Sequence, residues 1–252
     1  MKIQYASDLH LEFRKNKKFI DSFADTEPLG DILVLAGDIM NFCSPDTDFL
    51  KWCSVNFKDT YYVPGNHEYY GSDISFRSGS FKESLLSNVY LVNNTSVLVE
   101  DVNLVFSTLW SNLSVLSSLY IGGFLSDFKA IRSGKNTFST NEYNYLHQTA
   151  LAFIKTEIDN IKGKTVFVTH HCPTFKCINP IHKESMFNDG FHTELTDLID
   201  HGVIGPDYWI YGHNHYNVPE FEIGMTKLIT NQCGYVPSEE QNLFKFNKII
   251  EL

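Results

Sequence analysis

Five short apolar runs punctuate the chain, and each stops at a polar motif. Ile3 to Ser7 ends at Asp8-Leu9-His10, Ile32 to Ala36 at Gly37-Asp38, and Tyr61 to Val63 at Pro64-Gly65-Asn66-His67-Glu68. Thr165 to Thr169 leads into His170-His171, and Tyr208 to Tyr211 into Gly212-His213-Asn214-His215. Runs this short and this apolar predict strands bounded by turn residues. In an open α/β sheet the loops leaving strand C-termini converge on one crevice, so the five motifs are expected in one place.

Helices are expected between the strands, over about 45–57, 140–162 and 191–201. In the second, Tyr143, Leu146, Ala150, Phe153, Ile154 and Ile158 recur at spacings of three and four, the signature of an amphipathic helix. Residues 89–109 differ. Val89 to Val92, Val97 to Glu100 and Asn103 to Leu109 are β-branched and broken by Asn93-Asn94 and Asp101, which predicts a β-meander. Glu220 to Ile223 and Met225 to Thr230 flank Gly224 as a hairpin, and Leu243 to Ile250 reads as a last strand. The sum points to an α/β protein with a mixed double-sheet core, in a single domain over 1–252. Ser111 to Thr140 is the one long irregular stretch, and its length suggests a lid or substrate contact as readily as a surface appendage.

Composition narrows the function. With 43% hydrophobic residues a sizeable core is available. Thirty acidic against 20 basic residues give a formal charge of -10, which argues against a long nucleic-acid partner held through a basic face. No apolar run approaches the roughly 20 residues of a membrane span. The N-terminal residues pass directly into a strand and a motif, leaving no room for a signal peptide. Cys43, Cys53, Cys172, Cys177 and Cys233 are odd in number and include no CxxC pair, so reduced thiols in a cytoplasmic protein are expected.

The motifs carry the chemistry. Asp8 and His10, two apart at a strand end, can face one ion together. Asp38 ends the next strand, where a carboxylate can give one oxygen to each of two ions about 3.5–4 Å apart. Asn66 offers a neutral carbonyl oxygen, and His170, His213 and His215 complete two nitrogen-rich shells. A DxH or a GD alone is a chance occurrence in many chains. All the fragments in this order, each after a strand, are not.

The order D-x-H, G-D, G-N-H-E, H and G-H-x-H resembles the calcineurin-like metallophosphoesterase superfamily, from end to end. Ser7-Asp8-Leu9-His10-Leu11-Glu12-Phe13, Thr108-Leu109-Trp110, Leu125-Ser126-Asp127-Phe128, Thr169-His170-His171-Cys172-Pro173 and Gly234-Tyr235 further resemble a bacterial and phage branch of unassigned substrate. The resemblance implies a four-layer αββα sandwich, two mixed β-sheets flanked by helices. It implies that Asp8, His10 and His215 bind one metal, that Asn66, His170 and His213 bind a second, and that Asp38 bridges them. His67 would be the general acid, with Glu68 as its orienting partner. His171 would touch substrate or support His170. Histidine-rich shells favour manganese, iron, zinc or nickel over magnesium.

The expected function is a dinuclear phosphoesterase, in which a metal-bridging hydroxide attacks phosphorus and His67 protonates the leaving group. Two ions against two carboxylates would leave a positive pocket. Phosphodiesters of small or nucleotide-like molecules are the expected substrates, with a phosphomonoesterase or phosphoprotein phosphatase as the alternative. Protein phosphatases of the superfamily carry arginine motifs beside the G-D segment, whereas Asp38 is followed here by Ile39-Met40-Asn41. A non-catalytic metal-binding module would predict lost ligands, and none is lost. Lys129 and Arg132 read equally as groups to neutralise phosphate and as plain surface charge, and Trp110 and Tyr235 are read as packing residues.

Overall fold

The computed structural model describes residues 1–200 and 204–252. The first half contains β1 (Lys2–Ala6), α1 (Arg14–Asp21), β2 (Ile32–Ala36), α2 (Thr47–Asn56), β3 (Thr60–Val63), β4 (Phe81–Leu86) and β5 (Val89–Asn93). There follow β6 (Thr95–Val99), β7 (Val102–Ser107), α3 (Val115–Phe124), α4 (Asp127–Ala130), the ribbon β8 (Arg132–Ser133) and β9 (Asn136–Thr137), and α5 (Thr140–Asp159). The chain closes with β10 (Thr165–Thr169), α6 (Thr196–Ile199), β11 (Tyr208–Tyr211), β12 (Phe221–Ile223), β13 (Thr226–Thr230) and β14 (Ile249–Glu251).

Two six-stranded sheets result, in the orders β14-β1-β2-β3-β5-β4 and β12-β13-β11-β10-β7-β6. In each the inner strands run parallel and an antiparallel strand closes either edge. The sheets pack face to face. Ile3, Tyr5, Ile32, Val34 and Val63 from one meet Leu104, Phe106, Val166, Val168 and Ile210 from the other. The alternate residues turn outward. Leu33, Leu35 and Leu91 lie against Ile20 of α1 and Leu50 and Cys53 of α2, while Val105, Phe167 and Trp209 lie against Ala150, Ile154 and Ile158 of α5. The strands are therefore apolar on both faces, which explains their unbroken hydrophobic runs. Each fully buried Val, Leu or Ile stabilises by roughly 1.5–3 kcal/mol. The layers are helix, sheet, sheet, helix, as the family resemblance implies.

Helix α5 starts where Ser139 and Glu142 form a reciprocal capping box. Four expected elements come out differently. The meander expected over 89–109 is divided, β5 pairing with β3 and β4 in the first sheet and β6–β7 forming a hairpin at the edge of the second. The helix expected over 191–201 is a single turn, α6, because Phe191 to Leu195 pairs with the strand-end loop through Cys172–Phe191 and Leu195–Pro173 backbone bonds; residues 201–203, with His201, lie outside the described residues. The strand expected over 243–250 is only β14, since Phe244 and Phe246 both pack against Phe23. Ser111 to Thr140 is folded: α3 is N-capped by Ser114, and Trp110, Ile121, Phe128, Ile131 and Phe138 form a core of their own with Tyr143. Among the described residues no helix is long and apolar enough to cross a membrane.

Candidate metal centre

The C-terminal ends of β1, β2, β3, β10 and β11 converge, and tight loops turn their first polar residues inward. Asp8, His10, Asp38, His213 and His215 all hold left-handed φ angles, between 48° and 79°. Such backbone costs about 1–3 kcal/mol per residue for a side chain other than glycine, and it persists only where the surroundings enforce it. Here the loops brace one another, with Asp8 N–H donating to Gly37 O at 2.9 Å and His10 N–H to Asp38 O at 3.0 Å. Gly65 allows the closest approach: a Cβ there would stand 2.2 Å from Asp38 Oδ1.

Glu68 fixes two of these loops from beneath. It is fully buried and accepts from the N–H groups of Asp38 (3.0 Å), Ile39 (2.7 Å) and Gly65 (2.6 Å) and from the Tyr62 hydroxyl. It holds the backbone and does not touch the His67 ring, so the orienting role expected for Glu68 is corrected. Glu12 takes that place: its Oε1 lies 3.1 Å from His67 Nδ1 and 3.1 Å from His10 Nδ1. Tyr235, expected only to pack, meets His67 Nε2 through its hydroxyl at 3.1 Å.

Two nests of ligand atoms form. In the first, ligand atoms of Asp8, His10, Asp38 and His215 lie within 4.8 Å of one another. His10 Nε2 and His215 Nε2 face each other at 3.0 Å, while their Nδ1 atoms address Glu12 and Glu240 at 3.1 and 2.7 Å. In the second, Asp38, His170 and His213 converge. His170 Nε2 and His213 Nδ1 stand 3.0 Å apart, with their other nitrogens on Ala36 O at 2.9 Å and Gly190 O at 3.3 Å. Asn66 Oδ1 joins at 3.2 Å from His170 Nε2. Its amide is turned that way because Asn66 Nδ2 donates to Asp127 Oδ1 at 2.8 Å and to the Tyr70 hydroxyl at 3.1 Å. Asp38 spans both nests, with Oδ1 3.4 Å from His170 Nε2 and Oδ2 3.8 Å from His10 Nε2.

This geometry fits a pair of cations. Carboxylates and carbonyls only accept, so each outer imidazole nitrogen donates, and in the neutral rings each inner one carries a lone pair aimed at its partner's. Two facing lone pairs call for a positive guest. The titration directions agree: burial depresses His10 and His213. Burial also opposes charge on His215 and His170, but Asp8 and Glu240 lift the first to about 10, and Asp38 the second to about 9. In each pair one ring is thus held neutral and the other favours a proton, whose charge a cation in the gap would replace. His67 too is raised, because Asp38 and Glu12 outweigh its burial.

The nests open into a cleft of about 490 Å³ walled by Phe13, Tyr70, Leu125, Phe191 and Tyr235. No lysine or arginine is among the lining residues. Lys129 Nζ lies 3.3 Å from Phe124 O and Arg132 is exposed on the β8–β9 ribbon, and neither lines the cleft. Glu12 and Glu240 stand behind the ligand rings and would offset the positive excess expected of two ions against two carboxylates. His171 is buried behind His213, with ring centroids 4.0 Å apart, and supports rather than lines the cleft. Trp110 packs with Tyr143 and Phe138, and His147 is satisfied by Trp110 O.

Glu12, Asp127, Tyr70 and Glu240 escaped the sequence reading as supports. Glu12 and Asp127 stand inside quoted motifs and could have been suspected; nothing local marks Glu240.

A family model for calcineurin-like phosphoesterase matches residues 1–217. The chain belongs to that family. It is 31% identical to an uncharacterized protein of Acanthamoeba polyphaga mimivirus, over 96% of this chain and 93% of the relative. Among solved structures it is similar to the phosphopantetheinyl hydrolase PptH of Mycobacterium tuberculosis, with a TM-score of 0.69 and 16% identity, covering all of this chain and 95% of that one. At that identity the likeness is one of fold.

Proposed function

We propose that the protein hydrolyses phosphodiesters of small molecules with two divalent metals, Asp8, His10 and His215 holding one, Asn66, His170 and His213 the other, and Asp38 both. The observation that carries this is the pair of facing imidazole gaps joined by the two oxygens of Asp38. When bound, the metals supply Lewis-acid charge and a water-derived nucleophile at neutral pH. Manganese or iron suits these shells.

The chain's own groups do the rest. Glu12 orients the His67 ring and favours its protonated form, so that His67 Nε2 can pass a proton to the leaving oxygen. Tyr235 holds Nε2 at the cleft until substrate displaces it. Glu240 and Glu12 fix two ligand rings and make them better donors to a cation.

The diester preference rests on charge. A monoester dianion brings one more negative charge than a diester, and the cleft lining has acidic Asp38, Asp127 and Glu240 but no lysine or arginine to meet it. Unpaired thiols on all five cysteines fit a reducing, cytoplasmic setting.

The test is hydrolysis of bis-p-nitrophenyl phosphate against p-nitrophenyl phosphate by metal-stripped protein refilled with manganese. Faster metal-dependent turnover of the diester, lost in Asp38→Asn, is expected. Preference for the monoester, or turnover indifferent to metal, would overturn the reading.

A further inference from the structure

Beside the metal cleft lies a second cavity of about 230 Å³, between the end of α3 and the turns around residues 179–192. The two are contiguous, sharing Leu125, Phe191 and Asn214. Phe191 stands with its ring centroid 4.9 Å from that of the ligand candidate His213, so the partition between phosphate site and cavity is one side chain thick. A substituent on a phosphate held at the metals would have to pass only Phe191 to enter it.

The walls say what kind of substituent fits. No lysine, arginine, aspartate or glutamate lines the cavity, whose titratable residues are His182 and His192, and this lining favours an uncharged guest over a second phosphate or a charged peptide. Phe124 and Phe187 stack at 4.1 Å with a 17° angle, and Phe124 is still 61% exposed. A large aromatic ring left in water at a cavity mouth gains from a flat guest laid on it. Two amides sit at the rim. Asn179 spends its Oδ1 on Ile181 N–H at 3.1 Å, and Asn188 spends its Nδ2 on the carbonyls of His182 and Lys183 at 2.9 and 3.1 Å. Among the described residues the Nδ2 of Asn179 and the Oδ1 of Asn188 have no recorded partner, leaving one donor and one acceptor for the edge of a ring.

We propose that this cavity is the subsite for the organic group of the phosphodiester, and that this group is an uncharged planar heterocycle of the nucleobase class. The proposal rests on the phosphodiesterase reading for the position of the phosphate. Stacking on Phe124 supplies affinity, and the Asn179 and Asn188 amides read the ring edge. Base-on-aromatic stacking corresponds to roughly 5- to 150-fold in affinity.

Two measurements on the metal-loaded full chain separate this proposal from the one it rests on. The first is equilibrium binding of adenosine, with ribose as control, by ligand-observed NMR, which needs no turnover. Adenosine is expected to bind, Phe124→Ala to weaken it at least about fivefold, and Phe124→Tyr to keep it; binding no better than ribose, or indifferent to Phe124→Ala, overturns the proposal. The second is the kcat/KM ratio for thymidine 5′-p-nitrophenyl phosphate over methyl p-nitrophenyl phosphate, expected to fall at least about fivefold in Phe124→Ala. Hydrolysis of both esters with an unchanged ratio sinks the subsite and spares the phosphodiesterase. Adenosine bound through Phe124 with neither ester cleaved upholds the cavity and sinks the phosphodiesterase.

Discussion

Around Asp8, His10 and His215 the outer imidazole nitrogens end on carboxylates, Glu12 and Glu240, whereas around Asn66, His170 and His213 they end on the backbone carbonyls of Ala36 and Gly190. The first nest also has Asp8 as a carboxylate of its own, where the second has the neutral amide of Asn66. A carboxylate behind an imidazole raises its basicity more than a carbonyl does. On the proposed reading, one fold would thus build two sites of unequal strength from similar parts, the first expected to be the tighter and the neutral-backed second the easier to empty.

The largest effect should come from the residue common to both. Asp38→Asn keeps the shape but removes the charge that joins the nests, and turnover should drop about 10³-fold or more. Metal analysis after dialysis should find at most one equivalent per chain. Two equivalents with full turnover would remove Asp38 from the bridging position.

Next come the supports, which test the asymmetry itself. Glu240→Gln should weaken the first site about 10- to 100-fold, and Asp127→Asn, which disturbs the Asn66 amide, should weaken the second by the lower end of that range. Chelator competition resolves the two affinities. In the unaltered protein the first metal should resist chelation longer. If Glu240→Gln frees the weaker site instead, the contrast between carboxylate and carbonyl backing fails.

That contrast also marks the border of what the chain discloses before folding. The seven ligand candidates were legible as candidates because each lies one to four residues past the end of a buried strand, and the strands were legible as unbroken apolar runs. Their backing was not. Glu240 reaches His215 across 25 positions and Asp127 reaches Asn66 across 61, and no periodicity encodes such contacts. Helix α1 was equally hidden, since Arg14-Lys15-Asn16-Lys17-Lys18 is polar; it is pinned by buried Asn16, whose amide donates to Leu9 O and Gly234 O. Helix α3 was masked by Gly122-Gly123, which lower helix propensity, and packing around Ile121 overrides that.

The smallest effect concerns acid. His192 lies 97% out of solvent in the segment that carries Gly190, whose carbonyl backs His213 in the second nest. Burial lowers its pKa from 6.5 to about 4, so the folded protein holds it neutral. Between those values the unfolded chain binds the extra proton, so stability rises with pH through this window and is lost as pH falls from about 6.5 toward 4. From pH 6.5 to 5.5 the loss should be about 1 kcal/mol, and His192→Gln should abolish that part of the slope. Urea denaturation of the metal-free protein at the two pH values measures it. Because protonation of His192 would disturb the loop behind the second nest, the first nest should keep its metal to lower pH than the second. An identical slope in His192→Gln would place the acid lability elsewhere.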